Sequence, residues 1–155
     1  MPTRTLLKTS DASEQPHHGQ DYILEAQIGF ILRQAQQRHT TIFASLMVED
    51  LTPTQWAALA KLNEIGPSSQ NLLGRLTAMD AATIKGVIDR LTKRGFTKTK
   101  PDPSDRRRLL VTLTDKGAAL YERARPAAAR ITEETLAPLN GRERAELVAL
   151  LARLT

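Results

Sequence analysis

The sequence predicts a mainly helical fold that carries one small β-hairpin, and three observations support this prediction. Apolar residues recur at spacings of three and four along several segments, which is typical of amphipathic helices. The segments TPTQ at 52–55 and NGRE at 140–143 match the capping boxes that begin helices. Two short β-prone runs flank a turn rich in Pro and Asp between residues 97 and 113, which predicts the hairpin.

The overall composition limits the functional classes. A chain of 155 residues with 41% hydrophobic residues is long enough for one domain with a hydrophobic core. It contains no cysteine, which excludes disulfides, thiol nucleophiles, cysteine metal sites and thiol redox sensing. No apolar run approaches the roughly 18–20 residues that span a bilayer, and no signal-peptide hydrophobic region is found. We therefore expect a cytoplasmic protein without membrane association.

Positive charge is concentrated in one part of the chain. The window 85–108 holds nine Lys and Arg residues against three Asp residues, or +6, whereas the whole chain is +5, so the remainder sums to −1. A local basic patch on a helix followed by a hairpin is the electrostatic signature of a nucleic-acid-binding protein.

The chain begins with a polar, aperiodic stretch over residues 1–20, which we interpret as a flexible tail. Its His17-His18 pair is not expected to bind a metal, because His39 is the only other histidine. From residue 21 to about 48, apolar residues at helical spacing predict one long helix. Its apolar stripe is too wide for a small single-subunit core, so we expect it to pack against a partner.

Two shorter helices precede the basic window. The TPTQ segment predicts the start of the first, and Gly66-Pro67 predicts its end. The serine pair 68–69 can cap the second, which the short connector 77–79 joins to a third helix that Asp80 can cap. Two short helices joined in this way form a helix-turn-helix arrangement.

The helix predicted over 81–94 has two distinct faces. One face follows the spacing i, i+3, i+4 and i+7 of a core-facing side, with Ile84, Val87, Ile88 and Leu91. The other face carries small and basic residues that can approach a DNA backbone or reach base edges, namely Ala82, Thr83, Lys85, Gly86, Arg90 and Lys93. An ordinary solvated helix face is the alternative interpretation of these charges.

The hairpin follows directly. Gly95 is expected to end the helix in a left-handed conformation, and strands are predicted over 97–100 and 109–113. Three arginines, 106–108, lie beside the turn, and arginine suits the narrow, electronegative minor groove of DNA. We expect Asp105 to pair with one of these arginines and orient it. A hairpin kept soluble by its charges is the alternative.

The C-terminal part predicts two more helices. Thr114-Asp115 begins one that reaches about residue 136, with a kink or break at Pro126. The last helix begins at the NGRE capping box and carries four leucines on one side, Leu147, Leu150, Leu151 and Leu154. We expect this side to mediate association, because an intramolecular bundle would leave too much apolar helix uncovered in so short a chain.

Several of these motifs together resemble one known family. They are LLxxL at 72–76, ATIKGVIDRLxxRGF at 82–96, DxxDRR at 102–107 and VxLTxxG at 111–117. With this order and spacing, the chain from about residue 21 onward resembles the MarR family of bacterial transcriptional regulators. The Asp-Arg-Arg wing followed by the Leu-Thr-x-x-Gly helix start is the specific part of the match.

The resemblance implies a single domain over 21–155, with a winged helix-turn-helix region at 52–114 and dimerisation helices at 21–48 and 115–155. It implies a homodimer on a pseudo-palindromic operator in double-stranded DNA, with the recognition helix in the major groove and the wing in the minor groove. Many members are repressors that release DNA when a small, often aromatic, ligand binds between the two regions. No cofactor is implied.

The resemblance also assigns site residues. Expected DNA contacts are Ser69, Gln70, Thr83, Lys85, Arg90, Arg106 and Arg107, with one wing arginine on DNA and the other on an aspartate. Expected ligand contacts are Phe30, Arg33, His39, Phe43, Met47 and Trp56, with an aromatic carboxylate or its coenzyme A thioester as the effector. Core packing is the alternative role for the aromatic and Met residues of this second set.

The sequence departs from the family pattern at two positions. Gly86 lies where relatives often carry a larger, basic residue, so base readout is expected to rest more on Thr83, Lys85 and the wing. Leu73 replaces a usually small residue, which indicates altered packing. The lack of cysteine argues against the oxidant-sensing branch, and the lack of a His/Glu/Cys cluster argues against the zinc-sensing branch.

Two other functional classes were compared with a DNA-binding regulator. An enzyme is not expected, because the sequence offers no nucleophile, acid–base pair or metal site at a convincing spacing. A winged-helix module for protein interaction, without small-molecule control, is the alternative function. The concentrated basic charge disfavours it.

Overall fold

The structure, a computed structural model, describes residues 22–155. A single 3₁₀ turn, Leu24–Ala26, precedes four helices, α1 (Ile28–Leu46), α2 (Pro53–Ile65), α3 (Gln70–Leu76) and α4 (Ala81–Lys93). Two strands follow, β1 (Thr97–Pro101) and β2 (Leu109–Leu113), and then α5 (Asp115–Thr135) and α6 (Gly141–Ala152). The predicted mainly helical fold with one hairpin is confirmed. The predicted tail at 1–20, with His17-His18, lies outside the described residues.

The helix starts follow the capping chemistry of the sequence. Thr52 and Gln55 form a reciprocal capping box at α2, and Asn140 and Glu143 form one at α6. The other helices that begin after a turn use one side-chain oxygen each, from Ser69 at α3, Asp80 at α4 and Thr114 at α5. Each cap satisfies a backbone N–H that has no partner inside its helix.

The first helix is shorter than the predicted 21–48 segment. Gln27 has an extended backbone (φ −84°, ψ 132°) that separates the 3₁₀ turn from α1, and its side-chain amide donates to the Ile23 carbonyl at 2.9 Å. At the other end, Met47 is again extended, and Glu49 and Asp50 follow with φ of 56° and 50°. These left-handed residues turn the chain sharply between α1 and α2.

A kink or a break was predicted at Pro126, and the break does not occur, since α5 is one helix from Asp115 to Thr135. Proline removes the N–H that would bond the carbonyl of Glu122. Both Pro126 and Glu122 are exposed, so water can hydrogen-bond that carbonyl. The helix therefore continues without leaving a buried acceptor unpaired.

The hydrophobic core lies where α2, α3, α4, β2 and α5 meet. Its largest side chains are at most 1% exposed and include Leu59, Leu73, Ile84, Leu91 and Leu120. The whole predicted core face of α4 is buried. Leu73, the large residue at a usually small position, is accommodated inside this core. The opposite face of α4 is thereby presented to solvent.

Two helices leave apolar side chains uncovered. On α1, on α6 and just beyond the end of α6, these are 36–72% exposed and comprise Ile28, Ile31, Leu32, Leu147, Val148, Leu150, Leu151 and Leu154. A largely apolar depression of about 470 Å³ is lined by Ile28, Leu147, Leu150, Leu151, Arg153 and Leu154. No residue of α6 is buried within the chain. Across residues 22–155, none of the helices has the length and apolar character needed to cross a membrane.

Candidate nucleic-acid interface

Helix α4 presents a polar face whose N-terminal end is fixed by Asp80. The Asp80 Oδ1 atom accepts a hydrogen bond from the Thr83 backbone N–H at 2.7 Å. This bond, together with the Thr83 hydroxyl, holds the pKa of Asp80 below its usual range. The carboxylate thus remains charged at the positive end of the helix dipole.

The three expected contact residues on α4, Thr83, Lys85 and Arg90, are all exposed. Lys85 Nζ lies 2.6 Å from Asp89 Oδ2, one turn further along the helix. This pair was not predicted from the sequence, although Lys and Asp four positions apart on a helix are a recognised signal for one. Because both partners are exposed, the pair orients Lys85 without adding much stability.

Arg90 lies back along the helix over Gly86. A Cβ atom placed on Gly86 would be 3.7 Å from Arg90 Nη1 and 3.9 Å from Nη2. The missing side chain at Gly86 therefore leaves room for this guanidinium near the middle of the exposed face. Glycine at position 86 therefore determines where the Arg90 guanidinium can lie on this face.

The wing is an antiparallel hairpin that is attached to the helix-turn-helix. Thr97 pairs with Leu113 at its base and Pro101 with Leu109 near its tip. Ser68, just before α3, exchanges two backbone hydrogen bonds with Val111 of β2, at 3.0 and 2.8 Å. These bonds hold the wing beside α3 and α4.

The wing tip is organised by two aspartates that bond to backbone and serine groups. Asp105 Oδ1 accepts from the Arg107 backbone N–H at 3.0 Å, and Asp102 Oδ1 accepts from the hydroxyl and N–H of Ser104 at 2.7 and 2.8 Å. The Ser104 hydroxyl and N–H, followed by the Arg108 charge, lower the pKa of Asp102.

The expected pairing of Asp105 with an arginine side chain is not found among the ion pairs of residues 22–155. A short aspartate side chain closes more readily on the backbone two residues ahead. Arg106 and Arg107 are exposed at the tip, so both guanidinium groups remain accessible.

Two grooves lie beside α3, one between α3, α4 and the wing and the other between α3 and the wing. The larger, of about 540 Å³, has Gln70, Lys85, Asp89, Lys93 and Thr99 among its lining residues. The second, of about 400 Å³, is lined by Ser69, Gln70, Asn71, Arg75, Arg108 and Leu109. The structure therefore brings Gln70 next to Lys85, and Ser69 next to the base of the arginine cluster.

Sequence reasoning missed three polar residues in the second groove, Asn71, Arg75 and Arg108. Arg75 lies outside the 85–108 charge window, and Arg108 was counted in that window without being assigned a contact. Their shared location depends on the position of the wing, which charge counting does not determine. Basic residues on both sides of a groove suit a polyanion.

The six expected ligand-contact residues occupy three separate places. Phe30 and Arg33 line an open depression near the start of α1, together with Tyr22. Phe30 and Met47 are 17 positions apart, which is about 25 Å along a helix axis. One small molecule cannot contact both within a subunit.

The other four residues lie deeper in the subunit. The His39 Nδ1 atom lies 2.9 Å from Thr135 Oγ1, and its ring centroid is 6.2 Å from that of the buried Phe43. Met47 and Trp56 pack against the winged-helix core. No three His, Asp or Glu side chains within residues 22–155 converge as metal ligands do.

Known proteins with similar sequences identify the family. The model described as MarR family matches residues 51–109. The HTH-type transcriptional repressor NicR of Pseudomonas putida is 40% identical over 150 residues, which cover 96% of this chain and 95% of that protein. The chain belongs to the MarR family.

Solved structures of similar sequence have the same fold. A probable transcriptional regulator from Pseudomonas aeruginosa is 56% identical with a TM-score of 0.84, covering 86% of this chain and 100% of that chain. BpsR of Bordetella bronchiseptica, whose DNA binding is regulated by 6-hydroxynicotinic acid, is 41% identical with a TM-score of 0.82, covering 86% and 96%. The resemblance to the MarR family is confirmed, and the chain is a DNA-binding transcriptional regulator of this family.

Proposed function

We propose that the chain is a homodimeric repressor of a pseudo-palindromic operator, released by a small aromatic carboxylic acid or the coenzyme A thioester of one. The observation that carries the proposal is the placement of cationic side chains on α4, α3 and the wing, around two neighbouring grooves. Lys85 and Lys93 line the first groove, and Arg75 and Arg108 line the second. Arg106 and Arg107 are exposed at the wing tip.

The α4 face and the wing suit different parts of a DNA duplex. Helix α4 carries Thr83, Lys85 and Arg90 on its exposed face, and the major groove is wide enough to admit an α-helix. The hairpin is slender and carries Arg106 and Arg107, which fits the minor groove. Ser69 and Gln70 lie at the start of α3, beside α4 and the wing. From there they can contact the sugar-phosphate backbone of the DNA.

Support for a homodimer comes from the uncovered apolar side chains of α1 and α6. Five of them, Ile28, Leu147, Leu150, Leu151 and Leu154, line one depression, and folded proteins rarely leave a large apolar patch exposed to water. A second copy can cover the face by presenting the same surface to it. Two recognition helices in a symmetric dimer then read two half-sites about 34–36 Å apart.

Support for the effector class comes from Phe30 and Arg33 and from the relatives. An arginine beside an aromatic ring suits a ligand with a carboxylate attached to a ring. BpsR is regulated by 6-hydroxynicotinic acid, which is an aromatic carboxylic acid. The separation of Phe30 from Met47 indicates that any one site uses only part of the six-residue set.

A mobility-shift salt series on the DNA upstream of the protein's own gene tests operator binding. Neutralising roughly 6–10 phosphates predicts a loss of about 10³–10⁵ in affinity between 50 and 200 mM salt. Lys85→Ala and Arg107→Ala should weaken binding, whereas Lys61→Ala is the control because Lys61 pairs with Glu64 on α2. Salt-insensitive binding, or capture of a protein partner without DNA binding, would favour the interaction module.

The oligomeric state is tested by sedimentation of Leu151→Glu. A charge in the centre of the apolar face should give a monomer that no longer binds the operator. Ile65→Glu is the matched control, because Ile65 is 41% exposed but lies at the end of α2, outside the apolar face and both grooves. A Leu151→Glu protein that remains dimeric would show that this face is not the interface.

The effector is tested by thermal shift and by operator release. We expect 6-hydroxynicotinic acid, other aromatic acids or their coenzyme A thioesters to raise the melting midpoint and to lower operator affinity. Arg33→Gln should abolish both effects if Arg33 binds the carboxylate. The absence of any shift across these compounds would reject the effector class.

A further inference from the structure

The C-terminal end of α4, the proposed recognition helix, is linked to two other parts of the fold through Glu49. The Glu49 backbone carbonyl accepts a hydrogen bond from Arg94 Nη2 at 2.6 Å, and its carboxylate Oε2 lies 3.8 Å from the same nitrogen. The Glu49 Oε1 atom accepts from Arg123 Nη2 at 3.0 Å. Glu49 lies between α1 and α2, Arg94 caps α4, and Arg123 belongs to α5, so one residue joins three elements.

Arg94 is held from the other side as well. Its carbonyl accepts a hydrogen bond from Lys116 Nζ at 2.9 Å. Its guanidinium carbon lies 4.9 Å from the centroid of the buried Phe96 ring, and Lys116 Nζ lies 4.7 Å from that centroid. The last turn of α4 is therefore fixed between the α1–α2 connector and the start of α5.

The connector between α1 and α2, which makes these contacts, has an unfavourable backbone conformation. Glu49 and Asp50 have φ of 56° and 50°, a left-handed region in which the Cβ atom of an ordinary residue is crowded. Consecutive residues of this kind persist where surrounding contacts hold them in place. Here the bend directs both the carbonyl and the carboxylate of Glu49 toward the arginines of α4 and α5.

We infer that Glu49 is a positioning residue for operator binding, which fixes the angle between the recognition helix and the α1 and α5 helices. This inference rests on the proposed homodimer and its operator. In such a dimer, the angle sets the distance between the two recognition helices and hence the half-site spacing that the protein accepts. Glu49 touches no DNA in this arrangement and acts through Arg94 and Arg123.

Two substitutions break the link from opposite sides, and each has a matched control. Glu49→Gln removes the carboxylate charge but retains the backbone carbonyl, and Glu64→Gln makes the same charge change in the Lys61 pair on α2. Arg123→Gln removes the partner on α5. Its control is Arg125→Gln, because Arg125 pairs with Glu122 in the same helix at 3.4 Å.

The four variants and the wild-type protein are titrated against three DNA duplexes. These are the natural operator, the operator with one base pair inserted between its half-sites, and an unrelated duplex. We expect Glu49→Gln to reduce the preference for natural over lengthened operator by about two- to fivefold relative to Glu64→Gln, the range that the loss of an exposed ion pair allows. Unrelated DNA should bind both variants equally, because their net charges are the same.

The second pair of variants and a double variant complete the test. Arg123→Gln should show the same loss of spacing preference relative to Arg125→Gln. The Glu49→Gln/Arg123→Gln protein should be no worse than Glu49→Gln, because both changes break one link. Melting midpoints should stay close to those of the controls, since exposed ion pairs add little stability.

Three results would overturn the inference. Unchanged spacing preference in both Glu49→Gln and Arg123→Gln would show that the link does not position α4. A parallel fall in affinity for all three duplexes, together with a lower melting midpoint, would assign Glu49 a purely structural role. A wild-type protein that ignores the inserted base pair would remove the proposed dimeric operator binding, and this inference with it.

Discussion

The indole ring of Trp56 stacks on the phenol ring of Tyr121, with ring centroids 5.4 Å apart and planes 6° from parallel. Trp56 lies on α2 and Tyr121 on α5, so the stack joins the helix-turn-helix to the C-terminal helices. Trp56 is also the only tryptophan of the chain. Its fluorescence therefore reports on this junction alone.

Removing the phenol ring should destabilise the protein measurably. Stacked aromatic pairs contribute about 0.5–1.5 kcal/mol beyond their buried area, so Tyr121→Leu should lower the free energy of unfolding by about that amount. Tyr121→Phe keeps the ring and should stay close to wild type. Urea unfolding followed by Trp56 fluorescence measures both. An equal loss in the two variants would assign the effect to the hydroxyl group.

Gly117 should tolerate no side chain, because a Cβ atom there would lie 2.0 Å from the Phe96 carbonyl oxygen. That oxygen also accepts a hydrogen bond from the Thr114 backbone N–H. Gly117→Ala must displace the junction of wing and α5 and should cost more than about 3 kcal/mol. Gly141→Ala is the control, since nothing lies within 4 Å and a helix start gains propensity. Similar unfolding free energies for the two variants would contradict this packing.

The Asp80 cap should give the recognition helix a pH-dependent stability. The folded-state pKa of Asp80 is lowered by the Thr83 N–H, so its charged form favours the folded state. That contribution is complete above the unfolded pKa of about 3.9 and is lost as pH falls through the lower folded value. Asp80→Asn still caps the helix but cannot ionise. The difference in urea midpoint between wild type and Asp80→Asn should therefore shrink on acidification, and a constant difference would reject the assignment.

Two substitutions at Gly86 should separate the effect of this position on helix stability from its effect on base readout. Gly86→Ala adds a methyl group at ordinary contact distance from the Arg90 guanidinium, so it should stabilise the helix by about 1 kcal/mol and keep the operator preference. Gly86→Gln gains similar helix propensity but occupies the space of Arg90. Selection from randomised operators should show altered base preference for Gly86→Gln and not for Gly86→Ala. Identical preferences would mean that Arg90 does not read bases from this position.

Much of the fold could be predicted because its signals are local in sequence. Capping boxes, the glycine with φ of 78° at position 95 and the core spacing of α4 each depend on residues within one or two turns. The strand at 109–113 was predicted with its observed ends. Locally encoded features of this kind need no knowledge of the tertiary structure.

The features that were missed depend on contacts between distant residues or on competition between partners. Glu49 and Arg123 are 74 positions apart, so no local pattern predicts their contact. Asp105 precedes three arginines in the sequence, and charge alone did not indicate that it would bond to the Arg107 backbone N–H instead. Pro126 lies on an exposed side of α5, and only the tertiary structure determines that side.

In the proposed homodimer, the uncovered α6 helix links the folded state of the protein to its concentration. A helix of 12 residues that buries no side chain within its own chain is marginally stable in water. In the proposed dimer, a second copy of the chain packs against α6 and stabilises it. The helix content at the C-terminus then follows mass action and declines as the protein is diluted. A cell with few copies would then hold chains whose last helix is partly unwound, and the number of competent repressors would rise more steeply than the number of chains.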